Sequence, residues 1–236
     1  MKRTVIANGL SQTALMTLKK QGIDVVTTKN NSSVDDNISF HADLSFFYDG
    51  YDTLFIASEM KEYKDFFSNY VPHVIVIPEK YGKKYPNDVL LNCVTIGRNL
   101  ICNIDTVSET VLNCLKEKGF AVINVKQGYT KCSVLPVSDS AIITDDPSIA
   151  DLCCLAGIDV LLVSKGSVRL DGFDYGFIGG ASGRISADMI AFCGDLTSHS
   201  DSSEIIEFLD KYGLKYLSLD TNQLYDIGSI IPLYGG

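Results

Sequence analysis

The stretch Ala156-Gly157-Ile-Asp-Val-Leu-Leu-Val163 decides the fold, because its pattern recurs along the chain. A helical segment ends in Gly or Asn, and a short apolar run follows at once. Gly and Asn tolerate the left-handed conformation that closes a helix, so each such joint predicts a helix followed by a strand. The other four joints begin at Lys20, Ser68, Lys118 and Tyr212.

Each joint is followed by a polar loop and by two apolar runs with a turn between them. The 236 residues thus divide into five units of about 47 residues, each containing one helix and three strands. One unit cannot bury both its sheet and its helix, so we expect the five to share a core. The strand Thr4-Val-Ile-Ala-Asn8 has no helix before it, whereas the last unit, ending at Pro232-Leu-Tyr-Gly-Gly236, lacks a final strand.

These observations predict an α/β fold, a five-bladed α/β propeller of ββαβ units that the N-terminal strand closes into a ring. A closed ring leaves no open sheet edge. We expect a single domain over residues 1–236. The alternative is one doubly wound parallel sheet, which explains the alternation of helices and strands but not the hairpin in every unit.

Composition excludes several classes of partner. With 20 basic and 29 acidic residues, the net charge of −9 opposes binding to phosphate backbones, so we expect no nucleic acid partner. No apolar run reaches the ~18 residues of a membrane span, and we expect no membrane association. Seven cysteines without a framework spacing predict reduced thiols and a cytoplasmic protein.

Motifs for metals and cofactors are missing from the sequence. Neither CxxC nor HExxH occurs, and the three histidines are scattered, so we expect no metal site. The glycine-rich stretch 176–183 precedes a predicted strand at 184–190 and not a helix, which indicates a hairpin turn in place of a nucleotide site. We therefore expect no cofactor.

The polar loops carry one chemically distinctive position in each unit. Aligning the loops places five residues in one register, namely Asp43, Asp88, Cys132, Asp174 and Asp226. Polar residues also follow the second strand of each unit, namely Asn8, Ser58, Asn103, Asp145 and Asp195.

In a ring, both sets face one cavity, where clustered carboxylates oppose each other's ionisation unless a cation lies between them. A guanidinium fits, because it offers five donors to paired carboxylates. The structural alternative is that aspartates in turns bind their own backbone, which we favour for Asp88 and Asp174.

Cys132 replaces aspartate in this register and is the candidate nucleophile. The neighbouring Lys131 and a protonated histidine would both favour its thiolate. His41 lies two units away, so ring geometry can bring it to the sulfur, although alone it would be an exposed loop residue. Asp43, expected on the same strand face as His41, would orient the imidazole or bind substrate.

Two segments resemble the pentein, or guanidine-group-modifying enzyme, superfamily. His41-Ala-Asp43-Leu-Ser-Phe46 is similar to the His-x-Asp segment of that superfamily, and Gly128-Tyr-Thr-Lys-Cys132-Ser-Val-Leu-Pro136 is similar to its nucleophile loop. The resemblance implies a five-unit α/β propeller. It also implies guanidinium binding by Asp195 and by Gln223-Leu-Tyr-Asp226. Three features depart from the superfamily: the cysteine lies mid-chain, Gln223 replaces a glutamate, and covering insertions are missing, so the chain resembles a compact branch.

The sequence therefore predicts a hydrolase of guanidino or amidine compounds, or an amidinotransferase. In this hypothesis the Cys132 thiolate attacks the central carbon of the substrate, and His41 acts as acid and base with Asp43 beside it. The cationic small molecule would be bound by Asp195, Asp226, Gln223, Asp88, Asp174 and Asn8. The alternative is a non-catalytic pentein that binds a protein partner or a ligand, which Gln223 and the missing cover favour.

Overall fold

Short strands in five separate sheets dominate the structure, a computed structural model that describes residues 3–233. The strands of the described residues are β1 (Arg3–Ile6), β2 (Ile23–Val26), β3 (Phe46–Tyr48), β4 (Thr53–Ile56), β5 (His73–Val76), β6 (Val94–Ile96), β7 (Asn99–Cys102), β8 (Ala121–Asn124), β9 (Val134–Ser138), β10 (Ala141–Thr144), β11 (Asp159–Leu162), β12 (Ser182–Ser186), β13 (Met189–Phe192), β14 (Lys215–Ser218) and β15 (Ile231–Pro232). The end of the last predicted unit, residues 234–236, lies outside the described part.

The α-helices of the described residues are α1 (Gln12–Lys20), α2 (Lys64–Phe67), α3 (Glu109–Glu117), α4 (Thr130–Ser133), α5 (Pro147–Leu155) and α6 (Ser202–Lys211), with 3₁₀ helices at Ala42–Leu44, Ser58–Tyr63 and Leu196–Ser198. Five of these six α-helices connect the two parallel strands of one sheet, and the short helix α4 precedes β9. Helix α5 shows how the sequence sets a start, because the Asp146 side chain accepts hydrogen bonds from the backbone N–H groups of Ser148 and Ile149. None of these helices is long and apolar enough to cross a membrane. The cytoplasmic location stays a prediction.

All five sheets have the same topology. A middle strand pairs antiparallel with one neighbour and parallel with the other, as β4 does with β3 and β5. In the sheet that contains both ends of the described chain, β1 pairs antiparallel with β15, with Val5 opposite Pro232 and Ile6 opposite Ile231. The N-terminal strand thus completes the fifth sheet, as expected. The doubly wound alternative is wrong, because the sheets are separate and each contains an antiparallel pair.

In each sheet one edge strand pairs antiparallel with the middle strand, and we call these five the first strands: β3, β6, β9, β12 and β15. The first strands lie next to one another. Strand β15 contacts β3 and β12, while β9 contacts β12 and β6. Residues from all five strands line one cavity of about 800 Å³. No sheet among the described residues closes on itself, since each contains three strands. The sheets therefore meet through their edges and loops.

The glycine-rich stretch differs from expectation. The predicted strand over 184–190 is the hairpin of β12 and β13, which turns at residues 187–188. Gly176, Gly179 and Gly180 precede β12 and Gly183 lies within it, and the surroundings leave no room for a Cβ at any of the four. A Cβ on Gly180 would lie 2.2 Å from Asp226 Oδ1, and one on Gly183 would lie 2.0 Å from the carbonyl oxygen of Ile230. Close packing against a neighbouring loop and strand, not a tight hairpin, explains these glycines.

Candidate active site

Three residues predicted to act together meet at the start of the first strands. Cys132 lies on the short helix α4, directly before β9, and Asp43 lies on the 3₁₀ helix Ala42–Leu44 before β3. This helix replaces the expected strand. The Cys132 Sγ lies 3.2 Å from Asp43 Oδ2, and potential ligand atoms of His41, Asp43 and Cys132 all lie within 4.8 Å of one another. We call these three residues the thiol cluster. Their exposed fractions are only 3%, 1% and 2%.

A circuit of hydrogen bonds joins five loops around this cluster. We call them the central loops, residues 41–45, 88–93, 127–133, 176–181 and 226–230. Their bonds run from Cys132 N to Asn92 Oδ1 (3.2 Å), from Asn92 Nδ2 to Asp43 O (3.4 Å), from Asp43 N to Gly228 O (3.0 Å), from Ser229 N to Gly180 O (2.8 Å) and from Gly180 N to Cys132 O (2.8 Å). Each central loop is thereby tied to two others, and the circuit returns to Cys132.

Asn92 is a site residue that the sequence analysis missed. Its Nδ2 donates to Cys132 Sγ at 3.1 Å, while its Oδ1 accepts from the backbone N–H groups of Lys131 and Cys132. The amide thus fixes both the helix that carries the thiol and the sulfur itself. Counting back from the strands would have found it, because Asn92 precedes β6 by two residues just as Cys132 precedes β9.

Ser229 is a second missed residue, and its backbone is strained. It is the one non-glycine residue with positive φ (70°) in the part of the chain that the structure describes. Such a conformation costs about 1–3 kcal/mol and persists only where the surroundings enforce it. Here it directs Ser229 Oγ to Asp43 Oδ2 at 2.6 Å, and Lys131 Nζ donates to the same hydroxyl at 3.0 Å. A polar chain thus connects Lys131 to the thiol cluster.

Burial dominates the electrostatics of the cluster. It raises the pKa of the Cys132 thiol well above its ordinary value, and the charges of Asp43 and Asp226 raise that pKa further. Burial also lowers the pKa of His41 to about 4 against the attraction of Asp43. The expectation that Lys131 and a protonated His41 favour the thiolate therefore fails, because desolvation outweighs both. A neutral thiol faces a neutral imidazole at pH 7.

Of the residues predicted to bind substrate, Asp226 is brought to the cluster. Its Oδ1 lies 3.8 Å from His41 Nδ1, and it accepts hydrogen bonds from the backbone of Phe177 and Gly228. Burial raises the pKa of Asp226 to about 6. Asp226 therefore changes charge near neutral pH while lying beside His41.

The other predicted binding residues have local partners or lie on the surface. Asp88 Oδ2 accepts from the Tyr129 hydroxyl, Asn8 Nδ2 donates to the Phe40 carbonyl, Asp195 caps the helix Leu196–Ser198, Gln223 Nε2 donates to the Ser167 carbonyl, and Asp174 is exposed. Among the hydrogen bonds of residues 3–233, none joins these five side chains to the thiol cluster. Their roles in binding stay predictions.

An acidic cavity lies beside the cluster. It has a volume of about 370 Å³ and is bordered by Asp226 and by Phe40, the neighbour of His41. Its charged lining consists of Asp171, Asp220 and Asp226 against the single cation Arg169. This excess of carboxylates suits a small cation.

The thiol cluster also has the donor types of a zinc site. Cysteine sulfur, histidine nitrogen and carboxylate oxygen are the ordinary ligands of Zn²⁺. Both His41 Nε2 and Asp43 Oδ1 are buried without a hydrogen-bond partner in the described part of the chain. These atoms can hold a metal ion or the donors of a cationic substrate. The expectation that the protein has no metal site stays a prediction.

The sequence of residues 5–231 matches a family of unknown function, DUF6873. The chain belongs to this family. No curated protein matches the DUF6873 chain in sequence.

Solved structures show which fold the DUF6873 protein has. It resembles dimethylarginine dimethylaminohydrolase with a TM-score of 0.57 and 9% identity, over 94% of this chain and 93% of the other. It resembles substrate-bound agmatine deiminase from C. jejuni with a TM-score of 0.54 and 9% identity, over 98% of this chain and 82% of the other. It also resembles inosamine-phosphate amidinotransferase from Streptomyces griseus with a TM-score of 0.52 and 13% identity, over 93% of this chain and 78% of the other. These are pentein proteins, and the predicted resemblance to that superfamily is confirmed at the level of the fold.

Replacing His41 with glutamine will make the DUF6873 protein less sensitive to acid. Burial lowers the pKa of His41 from 6.5 to about 4, so the native state holds a neutral imidazole that the unfolded chain protonates near pH 6.5. The contribution of His41 to the free energy of unfolding is therefore fully present above pH 6.5. It decreases by about 3 kcal/mol as the pH falls to 4. Urea unfolding at pH 7.5 and pH 4 measures it.

The matched control for this measurement is His73→Gln, which changes an exposed histidine on β5. Asp226 contributes with the opposite sign between pH 4 and pH 6, and His73→Gln leaves both Asp226 and its neighbour His41 in place. An equal loss of stability in acid for His41→Gln and the unmodified protein would contradict the prediction.

Proposed function

We propose that the five sheets are the blades of a closed five-bladed α/β propeller, and that residues 1–236 form one domain. The contacts between first strands, their shared cavity and the pairing of β1 with β15 support this arrangement. The circuit of central loops is the further support, because a chain of neighbours that returns to its start is the geometry of a ring.

We infer that the protein is a hydrolase of guanidino or amidine compounds, or an amidinotransferase. The observation that carries this inference is the convergence of Cys132, His41 and Asp43 from two distant central loops, beside an acidic cavity. The structural neighbours are named as a dimethylarginine dimethylaminohydrolase, an agmatine deiminase and an amidinotransferase, which agrees with a substrate of this class.

The proposed reaction begins when the guanidinium enters from the acidic cavity and pairs with Asp226. Its positive charge offsets the carboxylates and lowers the pKa of the Cys132 thiol. His41 Nε2, which has no other partner in the described structure, takes the thiol proton as sulfur bonds to the central carbon.

His41 then gives this proton to the departing amine, and the carbon–nitrogen bond breaks. Water, deprotonated by His41, attacks the carbon that remains on sulfur. The carbon–sulfur bond breaks and the thiol regains its proton from His41. In a transferase, an amine takes the place of water. Lys131 and Ser229 hold Asp43, and Asn92 holds the sulfur.

Chloroacetamidine, a cationic alkylating agent shaped like the substrate, will modify Cys132 in preference to the other six cysteines. The cation binds among the carboxylates and activates the thiol, whereas neutral iodoacetamide gains nothing from them. Peptide mass spectrometry after brief exposure to each reagent measures the two rates.

Cys154, the exposed cysteine of helix α5, is the internal control. We expect iodoacetamide to modify Cys154 before Cys132, and chloroacetamidine to reverse this order. Modification of Cys154 before Cys132 by both reagents would contradict the inference.

A second candidate function is binding without turnover, to a ligand or a protein partner. The near-complete burial of Cys132 and its neutral thiol favour it, because a nucleophile needs both access and charge. Cys132→Ser would then leave the binding of a guanidino ligand unchanged. A loss of turnover with retained binding would instead support catalysis.

A further inference from the structure

A second cavity, lined by the first strands, lies at the end of those strands opposite the acidic cavity. It opens among the hairpin turns that contain Gly50, Asp139 and Ala187, and it extends along the strands to Lys131. Its volume of about 800 Å³ is in the range of small-molecule sites. Because β9 contains five residues, the strand wall is roughly 17 Å long at about 3.3 Å per residue.

The wall of this cavity is mainly apolar. The side chains come from all five first strands and include Phe47, Ile96, Pro136 and Ile231. Such a surface favours an apolar molecular body, since removing apolar area from water is the main source of affinity in sites of this kind.

The charged groups of the cavity have the opposite sign to the whole protein. Arg3, Lys131 and Arg184 line it against one carboxylate, Asp139, although the chain has a net charge of −9. The Arg184 guanidinium donates to the carbonyl oxygens of Ser186, Val137 and Ala187. These carbonyls orient the cation without neutralising it.

Lys131, at the inner end of the cavity, forms no direct ion pair among the described residues, and Asp43 is linked to it only through the Ser229 hydroxyl. Its ammonium group contacts the Ser229 hydroxyl and, at 3.4 and 3.5 Å, the carbonyl oxygens of Gly179 and Val134. Within residues 3–233, no ion pair involves Lys131 or Arg184. A partly buried cation whose direct hydrogen-bond partners are all neutral can pair with an anion.

We propose that this cavity is a binding site for an apolar carboxylate, whose acidic group pairs with Lys131 and whose chain lies along the first strands. The site is distinct from the acidic cavity in both position and charge, and Lys131 is the residue that it shares with the reaction proposed above. A cationic guanidino compound and an apolar anion would occupy opposite ends of the same five strands.

Isothermal titration calorimetry with octanoate, octan-1-ol and octylamine tests the proposal on the intact chain. We expect octanoate to bind with a stoichiometry of one and at least tenfold more tightly than octan-1-ol, because hydrogen bonds to charged groups are among the strongest. Octylamine should not bind. Absence of saturable octanoate binding, or equal affinity for acid and alcohol, would overturn the proposal.

Two variants locate the site within the molecule. Lys131→Met should weaken octanoate at least tenfold and leave octan-1-ol unchanged, while Lys126→Met, at an exposed lysine outside the cavity, should change neither. Ser138→Phe, at the open end of the cavity, should remove binding of both. Octanoate binding that survives Ser138→Phe would place the ligand elsewhere and overturn the assignment.

Discussion

Asparagine in place of Asp226 will change the reactivity of Cys132 in opposite directions toward neutral and cationic reagents. The Asp226 charge raises the pKa of the Cys132 thiol, so its removal makes the thiolate easier to form. Iodoacetamide should therefore react severalfold faster, because the thiolate is the form that reacts. Chloroacetamidine should react about tenfold more slowly, because it loses the carboxylate that binds its cation. Second-order rates at pH 8, where Asp226 with its pKa of about 6 is ionised, give both numbers.

The opposite signs separate a binding role from a general disturbance of the site. A distorted or loosened centre would change both rates in the same direction, and that result would exclude the role proposed for Asp226. Asp210→Asn is the matched control, because this carboxylate is exposed at the end of helix α6. It should leave both rates unchanged.

Alanine in place of Gly183 will cost about 3 kcal/mol or more in the free energy of unfolding. The added Cβ would lie 2.0 Å from the carbonyl oxygen of Ile230, and Ile230 N already donates to the Ser182 carbonyl at 3.0 Å. A clash between backbone and Cβ cannot be relieved by a side-chain rotation, so β12 and β15 must separate. Urea unfolding followed by circular dichroism measures the loss.

Gly119→Ala gives the comparison for this substitution. Gly119 has φ +82° but no atom within 4 Å of an added Cβ, so only the conformational cost of about 1–2 kcal/mol remains. Equal losses for the two variants would show that β12 and β15 are not in close contact at Gly183.

The sequence was sufficient to predict the repeated unit and the partners of Cys132. Helix ends at Gly or Asn are local signals, and the five joints occur where helices or turns give way to strands β2, β5, β8, β11 and β14. Spacing by whole units then predicted that His41 and Asp43 meet Cys132. It was harder to predict which residue of each loop lies at the centre, because several polar residues in a loop fit the same position equally well. Asn92 and Gly180 occupy the circuit where Asp88 and Asp174 were expected.

Two further features had no signal in the sequence. The resemblance to the pentein superfamily predicts guanidinium binding by Asp195, and this stays a prediction. In the structure its carboxylate accepts from the backbone N–H of Thr197, a local bond that turn aspartates commonly form. The protonation of the cluster was also hidden, because it depends on burial. Lys131 is adjacent to Cys132 in sequence, but its ammonium contacts Ser229 and cannot offset the desolvation of the thiol.

The hydrogen bond between Ser229 and Asp43 joins residues 186 positions apart. During synthesis, the ribosome makes Asp43, Asn92 and Cys132 long before it reaches Ser229, so a growing polypeptide lacks the last member of the circuit. Contacts of such long sequence separation form late in folding. In a nascent chain Cys132 will therefore behave as an ordinary accessible thiol, and it acquires its special surroundings only after translation has supplied the final strand.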